Sequence, residues 1–450
     1  MEQNLNMTQG KPLKLLFSFA VPVMFGNIFQ QLYTVVDTAI VGQGVGLDAL
    51  AALGTVDWFN WMLLGLVFGF TQGFSVRMSQ KYGEGDYAGL KRIIGQSATL
   101  CIVIALIATA VAEAFIPFFL KLLRVKPELA GLAELYSRII MGGLPAVMFF
   151  NFCSSTLRAV GDSKTPLYAM IAASVTNIIL DCVAVFVFDW GIAGAAAATV
   201  VAQCLSGIIC AAKIYKNPQL HFKKKHMRLR MHTAKDLMQI GSPVAAKNVI
   251  IALGGMAIQS IVNGFSLGFI AGFTATNKLY GILEIAALSY GYSVTTFVGQ
   301  NFGAAKYDRI RQGMRSAVVL SLSTSLLIAA VMLIFGRPIT MLFISREDPV
   351  LAAAAGETAY IYLCFMSAAL PMLYLLYVYL SALQGIGKTV ATMLSGILEL
   401  ALRVSLAFVV AYTGFEIGIC GAEVAAWFGA AIFLMISYYA NARKLFPKQK

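Results

Sequence analysis

Charged residues are scarce in this chain. Asp, Glu, Lys and Arg make up 12% of its 450 residues, about half the share usual in a soluble domain. Histidine is scarcer still: His221, His226 and His232 all fall in one polar segment. The seven cysteines form no CxxC pair, and neither an HExxH nor a GxxxxGK[ST] motif occurs. Each absence excludes a class. Too little polar surface excludes a cytosolic enzyme and a disordered chain. Cysteines scattered through apolar stretches read as small core residues, which excludes a disulfide framework. Without a phosphate-binding loop there is no primary pump, and without clustered His and Cys a zinc centre is not expected. A membrane enzyme would need a nucleophile with its base, or a paired-carboxylate metal motif, and neither stands out.

What is abundant is hydrocarbon. Apolar residues make up 59%, mean hydropathy is +0.77, and the net charge is +13. A spanning helix needs about 20 apolar residues. Twelve runs qualify, near 14–42, 50–76, 93–116, 132–152, 167–188, 192–212, 242–263, 269–298, 314–336, 353–379, 391–412 and 418–440. Lipid leaves no backbone group unpaired, and unbroken runs without period-two alternation choose helices over a barrel. The first run, Leu15 to Val41, is too long for a signal core and has no small-residue cleavage pattern, so no cleaved leader is expected. With the N-terminus inside, 25 of the 34 Lys and Arg fall on the cytoplasmic side. Five (Lys121, Arg124, Lys126, Arg337 and Arg346) fall outside. That asymmetry predicts cytoplasmic termini. The basic stretch 216–241, with Lys223-Lys224-Lys225, reads as a cytoplasmic linker rather than a nucleic-acid patch.

The linker separates two similar halves, 1–215 and 242–450. Val21-Pro22 matches Ser242-Pro243, Gly83 matches Gly303, and Pro145 matches Pro371. Gly161 matches Gly387, and Gly191-Ile192-Ala193-Gly194 matches Gly418-Ile419-Cys420-Gly421. Six spans per half is an even number, so both halves insert the same way round, as parallel transporter repeats do. The expected fold is an all-α integral membrane protein with twelve transmembrane helices in two pseudo-two-fold-related six-helix lobes, facing across a cleft.

Ionisable residues inside a bilayer mark function by default. Asp37 lies in the first run, Asn177 and Asp181 at i,i+4 in the fifth, and Thr199 in the sixth, all at one depth in the outer half. Two carboxylates, an amide and a hydroxyl suit a proton or a small hard cation such as Na⁺. Their counterparts in the second half are Ile258, Arg403, Ala407 and Ala426. The oxygens are therefore expected to serve coupling rather than architecture. Glu399 and Arg403, at i,i+4, read either as a self-neutralising pair or as cavity charges, and Glu284, with no evident sequence-local partner in its apolar run, reads as a cavity carboxylate for substrate or proton. Pro22, below Asp37, reads as a bend shared with Pro243 and as a hinge for helix 1.

The run Val21-Pro22…Gln30-Gln31…Tyr33…Asp37-Thr38…Val41-Gly42 resembles the first helix of the multidrug and toxic compound extrusion (MATE) family. Phe297 to Ala304, Leu157 to Asp162 and the duplication resemble that family too. The resemblance implies a monomeric plasma (inner) membrane antiporter with no cofactor beyond the coupling ion, H⁺ or Na⁺, and no nucleic-acid partner. Its substrates would be lipophilic organic cations. Asp37, Asn177, Asp181 and Thr199 match the ion site of the DinF-like branch, and Gln30, Tyr33 and Asn151 its cavity neighbours. The NorM-like branch has an acid in the seventh helix, where this chain has Lys247 and Asn248. A flippase or exporter of a lipid-linked or anionic precursor is the rival on the same fold.

Overall fold

Glycine ends the long helices where the sequence marks its breaks. In the computed structural model, which describes residues 5–122, 125–344 and 348–446, Gly85, Gly161, Gly387 and Gly414 all have φ between 69° and 92°. An L side chain resists that region. At Gly85 the backbone N–H turns back to the carbonyls of Lys81 and Tyr82 and closes the preceding helix. At Gly161 a Cβ would come within 2.1 Å of the Leu5 carbonyl oxygen, so the turn needs glycine for space as well. The repeat partners Gly161 and Gly387 share this conformation, so the duplication reaches the backbone.

The elements are α1 (Pro12–Gly44), α2 (Leu47–Glu84), α3 (Tyr87–Leu122), α4 (Pro127–Gly142), α5 (Leu144–Ala159), α6 (Lys164–Cys182), α7 (Gly191–Lys216), α8 (Met231–Val262), α9 (Leu267–Gly303), α10 (Tyr307–Thr340), α11 (Pro349–Gly385), α12 (Thr389–Thr413) and α13 (Gly418–Leu445). A π-turn, Val183–Val187, continues α6. Ten of these helices are long and apolar enough to cross a bilayer, and α4 with α5 makes an eleventh span bent by 41°. The bend falls at Gly143, just before Pro145, whose missing N–H weakens the ladder there. Its counterpart Pro371 sits inside α11, which stays continuous. The run expected near 269–298 lies in α9, which is long enough but not apolar enough to count among the spans, carrying Asn277, Lys278 and Glu284.

Several helices outrun their apolar stretches. α2 continues past Arg77 and Lys81, and α8 begins at Met231. Hydropathy registers only the hydrocarbon layer, whereas a helix continues into the headgroup region where charges are solvated. α1 and α8 run through Pro22 and Pro243 as single helices. Arg124, Arg346, Lys448 and Lys450 from the charge count lie outside the described residues.

The chain forms two compact units. The first comprises Met1–Met7 and Val21–Ala246, the second Thr8–Ala20 and Lys247–Lys450. Each therefore includes the N-terminal part of the other repeat's first helix. In the first unit the start of α8 packs so closely on α2 that Cβ atoms at Gly69 and Gly73 would lie 2.2 Å from Ala245 and 2.5 Å from Gly241. In the second unit the start of α1 packs on α9, with Ser293 Oγ donating to the Leu16 carbonyl at 2.8 Å. Leu106, Ile107, Leu327 and Ile334 are exposed. Such surfaces suit lipid, not water.

Candidate functional site

Three helices of the first unit place the predicted oxygens together. Helical spacing puts Gln30, Tyr33 and Asp37 along one stripe of α1, Asn177 and Asp181 along α6, and Thr199 and Gln203 along α7. Asp181 is fully buried, Asn177 is 1% exposed and Asp37 9%. The carboxyl groups of Asp37 and Asp181 are within hydrogen-bonding reach of each other. Asn177 Nδ2 donates to Thr199 Oγ1 and Gln203 Nε2 to the Tyr33 hydroxyl, each at a long 3.5 Å. Tyr33 also bonds Gln30 and interacts electrostatically with both aspartates, as does Tyr136 of α4.

The acceptor oxygens of the pocket are left unsatisfied. Asp37 Oδ1, both Asp181 oxygens, Asn177 Oδ1 and Gln203 Oε1 are buried with no hydrogen-bond partner. An ionised carboxylate only accepts, so two of them in contact need a proton or a cation between them. Leaving such groups bare in a dry interior is costly. This surplus of acceptors can bind a proton or a small hard cation. Among the described residues no three His, Cys, Asp or Glu side chains assemble into a metal cluster. The amide and hydroxyl oxygens would have to complete any coordination.

Gln203 and Tyr136 escaped the sequence reading. Gln203 stands four residues after Thr199, so the spacing that paired Asn177 with Asp181 could have found it. Tyr136 carries no such signal, because only packing decides which face α4 turns inward. Asn151 is buried in α5, and its amide donates to the Val147 carbonyl of its own helix at 2.9 Å.

Glu284, Glu399 and Arg403 lie in the second unit and come together there. Arg403 reaches Glu423 of α13 at 2.9 Å and Glu399 at 3.7 Å. Glu284 accepts from the hydroxyls of Tyr377 on α11 and Tyr280 on α9. Lys247 of α8, 6% exposed, lies 5.9 Å from the Tyr377 ring centroid. Glu284 therefore has a sequence-local partner after all, Tyr280 one turn before it on α9, beside a second tyrosine ninety-three residues away. The counterpart positions Ile258, Arg403, Ala407 and Ala426 are all buried, so the second unit keeps the frame while exchanging oxygens for carbon and a cation.

An internally duplicated, all-helical membrane fold with a buried carboxyl pair in one repeat defines a membrane transport protein. The MatE family model matches residues 22–183 and 243–409, and the chain belongs to that family. The matched segments open on Pro22 and Pro243, the same position of each repeat. A probable multidrug resistance protein of Bacillus subtilis, YpnP, is 30% identical over 78% of each chain. An FAD transporter of Shewanella oneidensis is 24% identical over 75% of each. Among solved structures, a MOP-superfamily transporter from Pyrococcus furiosus, described as having a binding pocket of reverse polarity, shares the fold at TM-score 0.92 and 20% identity over the full length of both chains.

Proposed function

We propose that this protein is a secondary antiporter of the plasma (inner) membrane, exporting lipophilic, mostly cationic compounds in exchange for H⁺ or Na⁺. The observation that carries the reading is the Asp37–Asp181 pair: two buried carboxyls within hydrogen-bonding reach of each other, with oxygens that no donor satisfies. Asn177 and Thr199 would complete the ion site, with Gln30, Tyr33 and Gln203 beside it. An ion entering from outside satisfies the pair, and its charge relaxes α1 about Pro22. Ion and substrate then share a coupling free energy, whatever the distance between them. Relatives named as multidrug resistance and multidrug export proteins support the substrate class, and the lack of any Asp or Glu in α8 from Pro243 to Val262 favours the DinF-like branch. Cytoplasmic termini follow from the Lys and Arg distribution, and the monomer from the family resemblance.

The rival reading is export of an anionic precursor, favoured by the FAD transporter among the relatives. Purified protein in liposomes, given a pH gradient and a Na⁺ gradient separately, tests both. Uptake of a fluorescent cationic dye driven by either gradient supports the antiporter. Movement of a flavin dinucleotide or a lipid-linked phosphate, with none of the dye, supports the rival.

A further inference from the structure

Between Lys213 and Lys235 stand eight lysines and arginines and no acid. The charge rule accounts for their sign but not for their arrangement, since a loop needs only to be basic to stay inside. Here the segment is folded and fixed. Lys224 to His226 form one 3₁₀ turn, closed by the His226 N–H on the Lys223 carbonyl at 2.8 Å. Thr99 Oγ1 of α3 holds the Met227 carbonyl, Gln96 Oε1 holds the Arg230 N–H, and Gly95 leaves room for the His226 backbone. Helical spacing puts Lys91 and Arg92, four and three residues before Gly95, on the same face of α3. The docking thus carries the linker's cations to a helix start that already has two of its own.

Among the described residues no acid pairs with Lys91, Arg92, Lys223, Lys224, Lys225 or Arg228. The nearest acids in sequence are committed elsewhere: Asp86 to Lys81 and the Gly89 N–H, and Asp236 to Arg77. Gathering like charges costs free energy unless an anion shares the site. Position along α3 says which anion. Gly95 and Gln96 belong to the first turn of the apolar run that opens at Ile93, so the docked segment lies at the edge of the hydrocarbon layer, where headgroups sit. Beside the cations, Leu229 is 43% exposed and Met231 84%. Cations interleaved with exposed apolar side chains suit a lipid interface better than a free phosphate or a nucleic acid. We propose that the docked stretch 223–231, with Lys91 and Arg92, is a headgroup site for anionic phospholipid. The cations hold the lipid phosphate, and Leu229 and Met231 enter the upper acyl layer.

The test is hydrogen exchange of the full-length protein in nanodiscs of phosphatidylcholine alone and of phosphatidylcholine mixed equally with phosphatidylglycerol. The anionic lipid should slow exchange over 223–230 about fivefold, the worth of one cation at an anionic surface, since the undocked segment keeps part of the attraction. The turn 414–417, between α12 and α13, is the internal reference and should not respond. Raising the salt should abolish the difference by screening. A protein carrying Lys224→Gln, Lys225→Gln and Arg228→Gln should match wild type in phosphatidylcholine, because Thr99 and Gln96 still hold the backbone, and should lose most of the gain from phosphatidylglycerol. Two further arms add inorganic phosphate or a short RNA to the phosphatidylcholine nanodiscs, and neither should protect. No effect of phosphatidylglycerol, an effect indifferent to salt, an equal effect on the reference turn, or a full effect on the triple variant would overturn the proposal. So would protection by phosphate or RNA equal to that by the lipid. Should the triple variant fail to fold, the salt series on the unsubstituted protein decides by the same criteria.

Discussion

Asp181 and Glu423 are both carboxylates in a membrane protein, yet their surroundings ask different things of them. Glu423 has the Arg403 guanidinium at 2.9 Å. Asp181 has two oxygens without a donor and another carboxyl for a neighbour. A permanently satisfied acid is architecture, whereas an unsatisfied one can exchange. On this account Asn177→Ala, which removes one acceptor beside the pair, lowers apparent ion affinity about tenfold, the lower range for losing support around a bound cation. The ion-concentration dependence of efflux measures it. An unchanged half-saturation point would make Asn177 structural. In the loop between α2 and α3, Asp86 accepts from the Gly89 N–H at 2.7 Å. That bond first, and Lys81 after it, hold its carboxyl below the ordinary value. A depressed folded-state pKa stabilises above the unfolded value and loses that contribution as pH falls through the folded one. Asp86→Ala should therefore cost about 1 kcal/mol at neutral pH, as lost helix caps do. In thermal melts the gap to wild type should close only in strong acid, below the usual aspartate range.

Among the elements, the basic segment after α7, expected to be a linker, is docked on α3. Thr99 Oγ1 of α3 donates to the Met227 carbonyl at 2.8 Å, and Gln96 Oε1 accepts from the Arg230 N–H at 2.9 Å. Gly95 lies so close that a Cβ would come within 2.7 Å of the His226 backbone. His226 Nδ1 accepts from the Lys223 N–H, which only the neutral ring can do. Partial burial, then the charges of Lys225, Lys91, Arg92 and Lys223, lower its pKa. The stability this gives is present above the unfolded histidine value of about 6.5 and fades as pH falls through the folded one. Hydrogen exchange over 223–230, corrected for intrinsic rate, should therefore quicken at pH 5 relative to pH 8. Gly95→Ala should quicken it at both, because backbone cannot yield as a side-chain tip does. Equal protection in all cases would mean that the docking contributes nothing.

For the molecule as a whole, most of the architecture was legible because lipid writes in long runs. Apolar stretches gave the spans, and positive-φ glycines kept their register from Gly161 to Gly387. Asp37, Asn177, Asp181 and Thr199 were legible for a related reason: polar oxygens are rare enough at that depth for spacing to pair them. Tyr377 beside Glu284 was not, because that meeting depends on how helices far apart in sequence rotate against one another. The assignment of the two helix starts was also hidden. Nothing in a hydropathy profile says that Thr8–Ala20 belongs with the second unit and the start of α8 with the first. That arrangement predicts that fragments 1–222 and 223–450 each fail to fold alone and are recovered together when co-expressed. Fragments that each gave a cooperative melt in isolation would contradict it.

The central claim is that the buried pair in the first unit carries the driving ion. Gradient-driven efflux by Asp37→Asn and Asp181→Asn proteins, reconstituted separately at matched orientation, tests it most directly. Loss of gradient-driven transport in both, with the thermal transition retained, is the predicted result. Full transport by either variant would contradict it.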